Sequence, residues 1–338
     1  MSASGTPLDG VDAVLADLDG VVYTGRAAVP HAVESLNRVA ETMRVGYITN
    51  NASRTAATVT AQLAGYGLRV VEDDVVTSPQ AAVRLLAGLV PAGSTVLVVG
   101  GEGLTTAVEG AGFTVTRSAE DSPAAVVQGF SPEAGWQHLA EAAFALHRGI
   151  PWVATNTDWT IPQERGVAPG NGTLVSAVHT AVGRLPETAG KPETPIFTAA
   201  TERFGASSAL FVGDRLDTDV VGANRAGLRS ALVLTGIDQA KQVLAAPADS
   251  RPDFLLGDLR DLFEPYPAVV EHDEEDVHVV TVRGASVAWR GRHVRVVSPG
   301  TDTVDLLRAG AHAVWATGRA IHALDVDPAL HAEGVGRR

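Results

Sequence analysis

The chain has 338 residues, enough for about two or three domains, and its 45% hydrophobic and 19% charged content describes a globular protein with a sizeable core. It contains no cysteine, which excludes disulfides, thiolate metal sites and cysteine nucleophiles. A formal net charge of -13 without a visible basic patch argues against a nucleic-acid binder, and no apolar stretch approaches the length of a membrane span. The opening Met1-Ser-Ala-Ser-Gly-Thr-Pro7 has neither the basic region nor the apolar core of a secretory signal, so a cytoplasmic location is expected.

The first element is the apolar run Val14-Leu-Ala-Asp17-Leu-Asp19-Gly20-Val-Val-Tyr23, which reads as a buried parallel strand ending in two aspartates. Open α/β sheets place ligands at the carboxyl ends of their strands, and alternation along a strand puts residues i and i+2 on one side. Asp17 and Asp19 are therefore expected to face one small volume, where two like charges call for a cation or a shared proton.

A helix is expected over Pro30 to Met43, then a strand over Arg44 to Thr49. That strand ends in Thr49-Asn50-Asn51-Ala-Ser53, where Ser53 or Asn51 is suited to cap a helix running to Gly65. Such a turn also offers donors to an oxyanion. Thr77-Ser-Pro79 starts a further helix. Thr95 to Val99 is a strand running into Gly100-Gly-Glu-Gly103, but threonine stands where a dinucleotide fingerprint needs its third glycine.

Short strands follow over Phe113 to Thr116 and Ala124 to Gln128, and Ser131-Pro-Glu133 is expected to cap a helix ending near His147. Pro151 to Thr155 is a strand, and 156–166 reads as a long polar loop. Lys191, one of only two lysines, precedes a helix over Glu193 to Phe204. Ala209-Leu-Phe-Val-Gly213-Asp214-Arg-Leu-Asp-Thr-Asp219 repeats the opening device, an apolar strand stopping at glycine and aspartate. Strands over Ser230 to Leu234 and Asp253 to Leu256 complete a sheet. Past Pro267 the acidic run 271–276 reads as a solvated linker, and 277–297 alternates like a β-meander. Six of the ten histidines lie beyond Pro267 without tight ligand spacing.

Four segments now stand in order: Asp-x-Asp after a strand, Thr-Asn-Asn after a strand, a lysine at a helix start, and Gly-Asp with a later aspartate. Oxygen ligands from Asp17 and Asp214 suit a hard ion, Mg2+. Thr49, the nearby backbone amides and Lys191 are suited to hold a dianionic phosphoryl group.

In these motifs, Asp17-Leu-Asp-Gly20, Thr49-Asn-Asn51, Gly190-Lys-Pro192 and Gly213 through Asp219, the chain resembles the haloacid dehalogenase (HAD) superfamily of aspartate-nucleophile phosphatases. The stretch between them resembles the large α/β cap of the NagD-like and 4-nitrophenylphosphatase branch. The resemblance spans about residues 1–260, with one departure at Gln128-Gly-Phe-Ser131, where relatives often carry an acid after the aromatic residue.

The resemblance implies an α/β fold: a Rossmann-like parallel-sheet HAD core over 1–78 plus 187–266, an inserted α/β cap over 79–186, and a small C-terminal α+β extension over 267–338. It implies Asp17 as nucleophile and Asp19 as general acid and base, with Thr49 and Lys191 completing the catalytic set. Mg2+ is then held by Asp17, the Asp19 carbonyl and Asp214, with Asp219 supporting the shell or orienting Lys191. Gly20, Asn50 and Asn51 are expected at the phosphate, and Asp158 and Arg165 at the leaving group.

The expected reaction is Mg2+-dependent hydrolysis of a small phosphomonoester, glycerol 3-phosphate or phosphoglycolate, since a cap over the site leaves a confined volume. Sugar phosphates, nucleotide monophosphates and a non-catalytic phospho-ligand sensor are the alternatives. A homodimer through the cap is left open. Residues after about 267 hold none of the motifs and are expected to be dispensable for the chemistry.

Overall fold

A computed structural model describes residues 5–163, 165–332 and 334–336. By compactness the chain divides into two units, one made of residues 1–45 and 206–338, the other of 46–205. This is a different cut from one by motif order, and the stretch 79–186 lies inside the second unit.

In the first unit the strands Phe254–Leu256, Arg229–Val233, Ala209–Gly213 and Ala13–Asp17 lie side by side in that order, all parallel. Ala13–Asp17 and Ala209–Gly213 are buried at every position, as expected of strands covered on both faces. Their register pairs Ala13 with Ala209 and Ala16 with Val212, so both carboxyl ends fall at one edge. That pairing brings Asp17 and Asp214 to the same place.

The acidic run is not a linker. It forms the strand Val269–Glu274 and the turn into Val277–Val282, an antiparallel meander continued by Ala285–Arg290 and His293–Pro299. Its side chains from Val270 to Glu274 are exposed, so the acids do face solvent, but as the edge of a sheet, where charge discourages further pairing.

Helix Thr303–Ala316 packs on this meander, and Val280, Val287, Val294 and Leu307 share one buried cluster with Leu232, Val243 and Leu255. The C-terminal extension thus continues the core of its unit. Buried Arg308 seals the junction: its Nε and Nη2 donate to the carbonyl of Leu255 at 2.9 and 2.6 Å, and its Nη1 pairs with Asp305 at 2.7 Å.

In the second unit residues 47–49, the end of strand Arg44–Thr49, pair in parallel with Val75–Thr77. A five-stranded parallel sheet has the order Glu187–Thr188, Trp152–Ala154, Ala125–Gln128, Thr95–Val99, Thr114–Thr116. One face is covered by helices Trp136–Leu146 and Asn171–Val182, which enclose Leu97, Val99, Val126 and Trp152.

Three local expectations change here. Helix Ala56–Gly65 is capped by Thr55, whose hydroxyl accepts the N–H of Thr58, while the Asn51 carboxamide accepts from Ser53. Helix Trp136–Leu146 starts after Gly135, because Ser131 and Glu133 bond each other in a turn of their own. The long polar loop is half hairpin, with Thr160–Gln163 antiparallel to Gly166–Pro169. Among the described residues no helix is long and apolar enough to cross a membrane.

Candidate active site

Asp17 is the last residue of its strand and is buried. The strand ends there, so the expected i, i+2 alternation does not reach Asp19. Instead the chain folds tightly, with the N–H of Val22 on the carbonyl of Leu18 at 2.8 Å and that of Gly20 on Tyr23 at 2.8 Å. Asp19 is exposed in this turn, 3.4 Å from the Tyr23 hydroxyl.

Asp17, Asp214 and Asp219 form a group of three buried carboxylates, each offering an oxygen within 4.8 Å of the others. The Asp19 carboxylate is not part of it. Three acids this close and this dry require a counter-charge, and an all-oxygen set is the chemistry of a hard divalent cation.

Local backbone fixes each acid. Past Asp214 the chain makes a wide π-helical turn, Leu216–Val220, with the N–H of Val220 reaching the carbonyl of Arg215 at 3.1 Å. The turn swings Asp219 back, so that its Oδ2 accepts the N–H of Asp214 and of Arg215, both at 3.1 Å. Gly213 makes this possible, since a Cβ there would lie 2.2 Å from the Cβ of Asp219. Asp217 stays outside, forked onto the exposed Arg215 guanidinium at 2.9 and 2.7 Å.

Sequence reasoning missed the loop after strand Arg229–Val233. The N–H of Ile237 donates to Oδ2 of Asp214 at 2.7 Å, and Thr235 Oγ1 donates to the carbonyl of Gly20 at 2.7 Å. Asp238 accepts the N–H of Leu216 at 2.6 Å, and burial raises its pKa above the ordinary carboxylate value. The one available signal was Thr235-Gly236 directly after an apolar strand.

The second unit brings Thr49, Asn50, Asn51, Asp158 and Lys191 into one neighbourhood. Thr49 and Lys191 are buried. Thr49 Oγ1 accepts the N–H of Asn51 at 3.1 Å. The Asn50 side chain bonds the backbone of Lys191 and both oxygens of Asp158. Arg165 stands apart, exposed in the turn of the 160–169 hairpin. Gln128, which opens the stretch whose Ser131 departs from the family pattern, is fully buried with no hydrogen-bond partner for either end of its amide among the described residues.

Comparison with known proteins matches residues 14–114 to the haloacid dehalogenase-like hydrolase model and 188–262 to a HAD-hydrolase-like model. The D-glycerol 3-phosphate phosphatase of Mycobacterium tuberculosis is 43% identical over 304 residues, covering 90% of this chain and 86% of its own. This chain belongs to the haloacid dehalogenase-like hydrolases.

Among HAD-like proteins, the acid sugar phosphatase of Staphylococcus epidermidis is 33% identical, over 68% of this chain and 89% of its own. The crystal structure of a glycerol phosphate phosphatase from M. tuberculosis, in complex with magnesium, superposes with a TM-score of 0.87 at 41% identity, over 97% of this chain and 98% of that one. The p-nitrophenyl phosphatase from Archaeoglobus fulgidus reaches 0.70 at 27% identity and covers 75% of this chain and 98% of its own. The match to the mycobacterial structure, over 97% of this chain, takes in most of the C-terminal extension.

Proposed function

We propose that this hydrolase cleaves a small phosphomonoester, glycerol 3-phosphate before phosphoglycolate, through an aspartyl phosphate on Asp17. The observation that carries the reading is the buried triad of Asp17, Asp214 and Asp219. The similarity to a D-glycerol 3-phosphate phosphatase supports the choice of substrate. Sugar phosphates and nucleotide monophosphates are the weaker alternatives, and the intact acid set disfavours a non-catalytic sensor.

Mg2+ fits this donor set, and a bound ion offsets the charge of the carboxylates and of the phosphoryl oxygens. Asp17 and Asp214 would hold it by their side chains and Asp19 by its carbonyl, while Asp219 fixes the backbone of 214 and 215 and so orients the carboxylate beside it.

A carboxylate oxygen of Asp17 attacks phosphorus and the bond to the leaving alkoxide breaks. The Asp19 carboxyl gives that alkoxide its proton, then takes one from the water that attacks the aspartyl phosphate and releases inorganic phosphate. Asp19 is exposed and so is able to exchange protons with solvent. Thr49 and Lys191 hold phosphoryl oxygens, together with backbone amides near Gly20, Asn50 and Asn51. Asp158 and Arg165 of the 79–186 cap are assigned to the leaving group. The core over 1–78 plus 187–266 carries the chemistry, in a cytoplasmic protein.

We also infer a homodimer through the cap, for which Trp136 and Phe144 stand 78% and 58% exposed on one helix. Light scattering of the wild type and Trp136→Ala tests this, and a monomeric wild type refutes it. For the substrate, kcat/KM is compared across glycerol 3-phosphate, phosphoglycolate, sugar phosphates and nucleotides with Mg2+. Highest efficiency with glycerol 3-phosphate is expected; a clear preference for nucleotides would overturn the assignment.

A further inference from the structure

Asn50 was expected to meet the phosphate, yet its carboxamide is committed to the protein. Oδ1 accepts the N–H of Lys191 at 2.8 Å, and Nδ2 donates to the carbonyl of the same lysine at 3.0 Å. Nδ2 also lies 3.3 Å from both oxygens of Asp158. A carboxamide offers an acceptor and a donor in one plane, as a peptide does. Engaging both backbone groups of one residue fixes the peptide planes on either side of its Cα, and hence the direction in which the side chain leaves.

We propose that Asn50 is a positioning residue for Lys191, with Asn156 and Asp158 holding the clamp from behind. The inference rests on the reading of Lys191 as a phosphoryl-binding group. A lysine carries its charge on a flexible four-carbon stem, so its backbone must be held if the ammonium is to meet one oxygen.

The surroundings are built for the clamp. The carbonyl of Asn50 accepts from Asn156 Nδ2 and from Ser78 Oγ, both at 2.8 Å. Asn156 is held in turn by Asn171, whose Nδ2 donates to its carbonyl at 2.7 Å, and its Oδ1 accepts the N–H of Asp158 at 3.2 Å. Asn156, Asn171 and Ser78 are all buried. Gly190 allows the approach, because a Cβ there would sit 2.5 Å from both Asn50 Oδ1 and the carbonyl of Thr155. Asp158 thereby acts as an acceptor that orients the Asn50 amide, alongside the role at the leaving group proposed above.

The test is a double-mutant cycle on the full chain with Mg2+, reading kcat and KM with 4-nitrophenyl phosphate and inorganic phosphate affinity by calorimetry. Lys191→Ala sets the reference. Asn50→Ala alone is expected to lower kcat/KM about 10²-fold, the scale of a misplacement of about 1 Å, and to weaken phosphate binding. In the Lys191→Ala background the same change is expected to cost less than about twofold in phosphate affinity, because a residue that acts only through Lys191 has nothing left to position.

Additive losses would mean that Asn50 meets the substrate itself and would overturn the proposal, as would an Asn50→Ala enzyme with wild-type constants. A Lys191→Ala enzyme of unchanged activity and phosphate affinity would instead refute the reading of Lys191. Should Asn50→Ala melt early, Asn50→Asp takes its place: it keeps the acceptor for Lys191 N–H, removes the donor to the carbonyl, and is held to the same non-additivity.

Discussion

Gly20 and Asp214 are packed so closely that a Cβ at residue 20 would lie 2.2 Å from Oδ2 of the aspartate. The backbone at Gly20 is also left-handed, with φ of +78°. Gly20→Ala therefore meets two penalties: backbone strain of about 1–2 kcal/mol and displacement of a carboxylate from the triad. We expect a modest loss of thermal stability and a fall in kcat of about 10²-fold or more, measured with 4-nitrophenyl phosphate across a Mg2+ titration. An enzyme with wild-type kcat and Mg2+ dependence would show that the Asp214 position is not critical.

Asp17→Asn preserves shape and removes the nucleophile. Turnover is expected to vanish while fold and Mg2+-dependent phosphate binding persist; activity within about tenfold of wild type, roughly 1.4 kcal/mol in barrier, would exclude Asp17 from that role. Asp19→Asn should separate leaving groups. Alkyl phosphates need a proton on departure and nitrophenolate needs little, so the ratio of the two rates is the measurement, and equal losses would contradict the acid role.

Residues beyond 267 carry none of the motifs and are expected to be dispensable for the chemistry itself, yet they build part of the core of their unit. Truncation near Pro267 would strip Val280, Val287 and Leu307 from a cluster shared with Leu232 and Leu255, and would remove Arg308. We expect the truncated chain to be insoluble. Arg308→Met is the finer probe. It removes the guanidinium that Asp305 and Asp261 share and leaves Asp305 only the half-exposed Arg283 at 3.2 Å, which is expected to cost up to about 3–5 kcal/mol in a urea melt. A loss below about 1 kcal/mol would mean that the junction is held by apolar contacts alone.

His312 lies near the ring of Trp315, at 5.4 Å between centroids, and burial depresses its pKa below 6.5 against the opposing pull of Glu271. The unfolded chain therefore takes up this proton first as pH falls. His312 contributes stability that is present above about pH 6.5 and lost as pH drops toward its folded value. The melting temperature of wild type should decline between pH 7.5 and 5 more than that of His312→Gln; parallel curves would refute the assignment.

The sequence by itself determined the parallel core strands and the acids at their ends. A buried strand is a short run of apolar residues closed by Gly-Asp, and Ala13–Asp17 and Ala209–Gly213 satisfy that rule locally. Thr49, Asn50 and Lys191 were legible for the same reason, as short motifs at element ends. What required the tertiary structure was every relationship set by a partner distant in the chain. Asp19 leaves the strand because its turn closes on Tyr23. The acidic run becomes a strand because Val277–Val282 offers it a ladder, with Glu271 opposite Val280. The Asn50 carboxamide meets Lys191, 141 residues away, because Gly190 leaves no Cβ to keep them apart. Local patterning encodes which face of an element is apolar; it does not encode which polar atom of a distant loop will satisfy a buried amide, and that choice falls to packing.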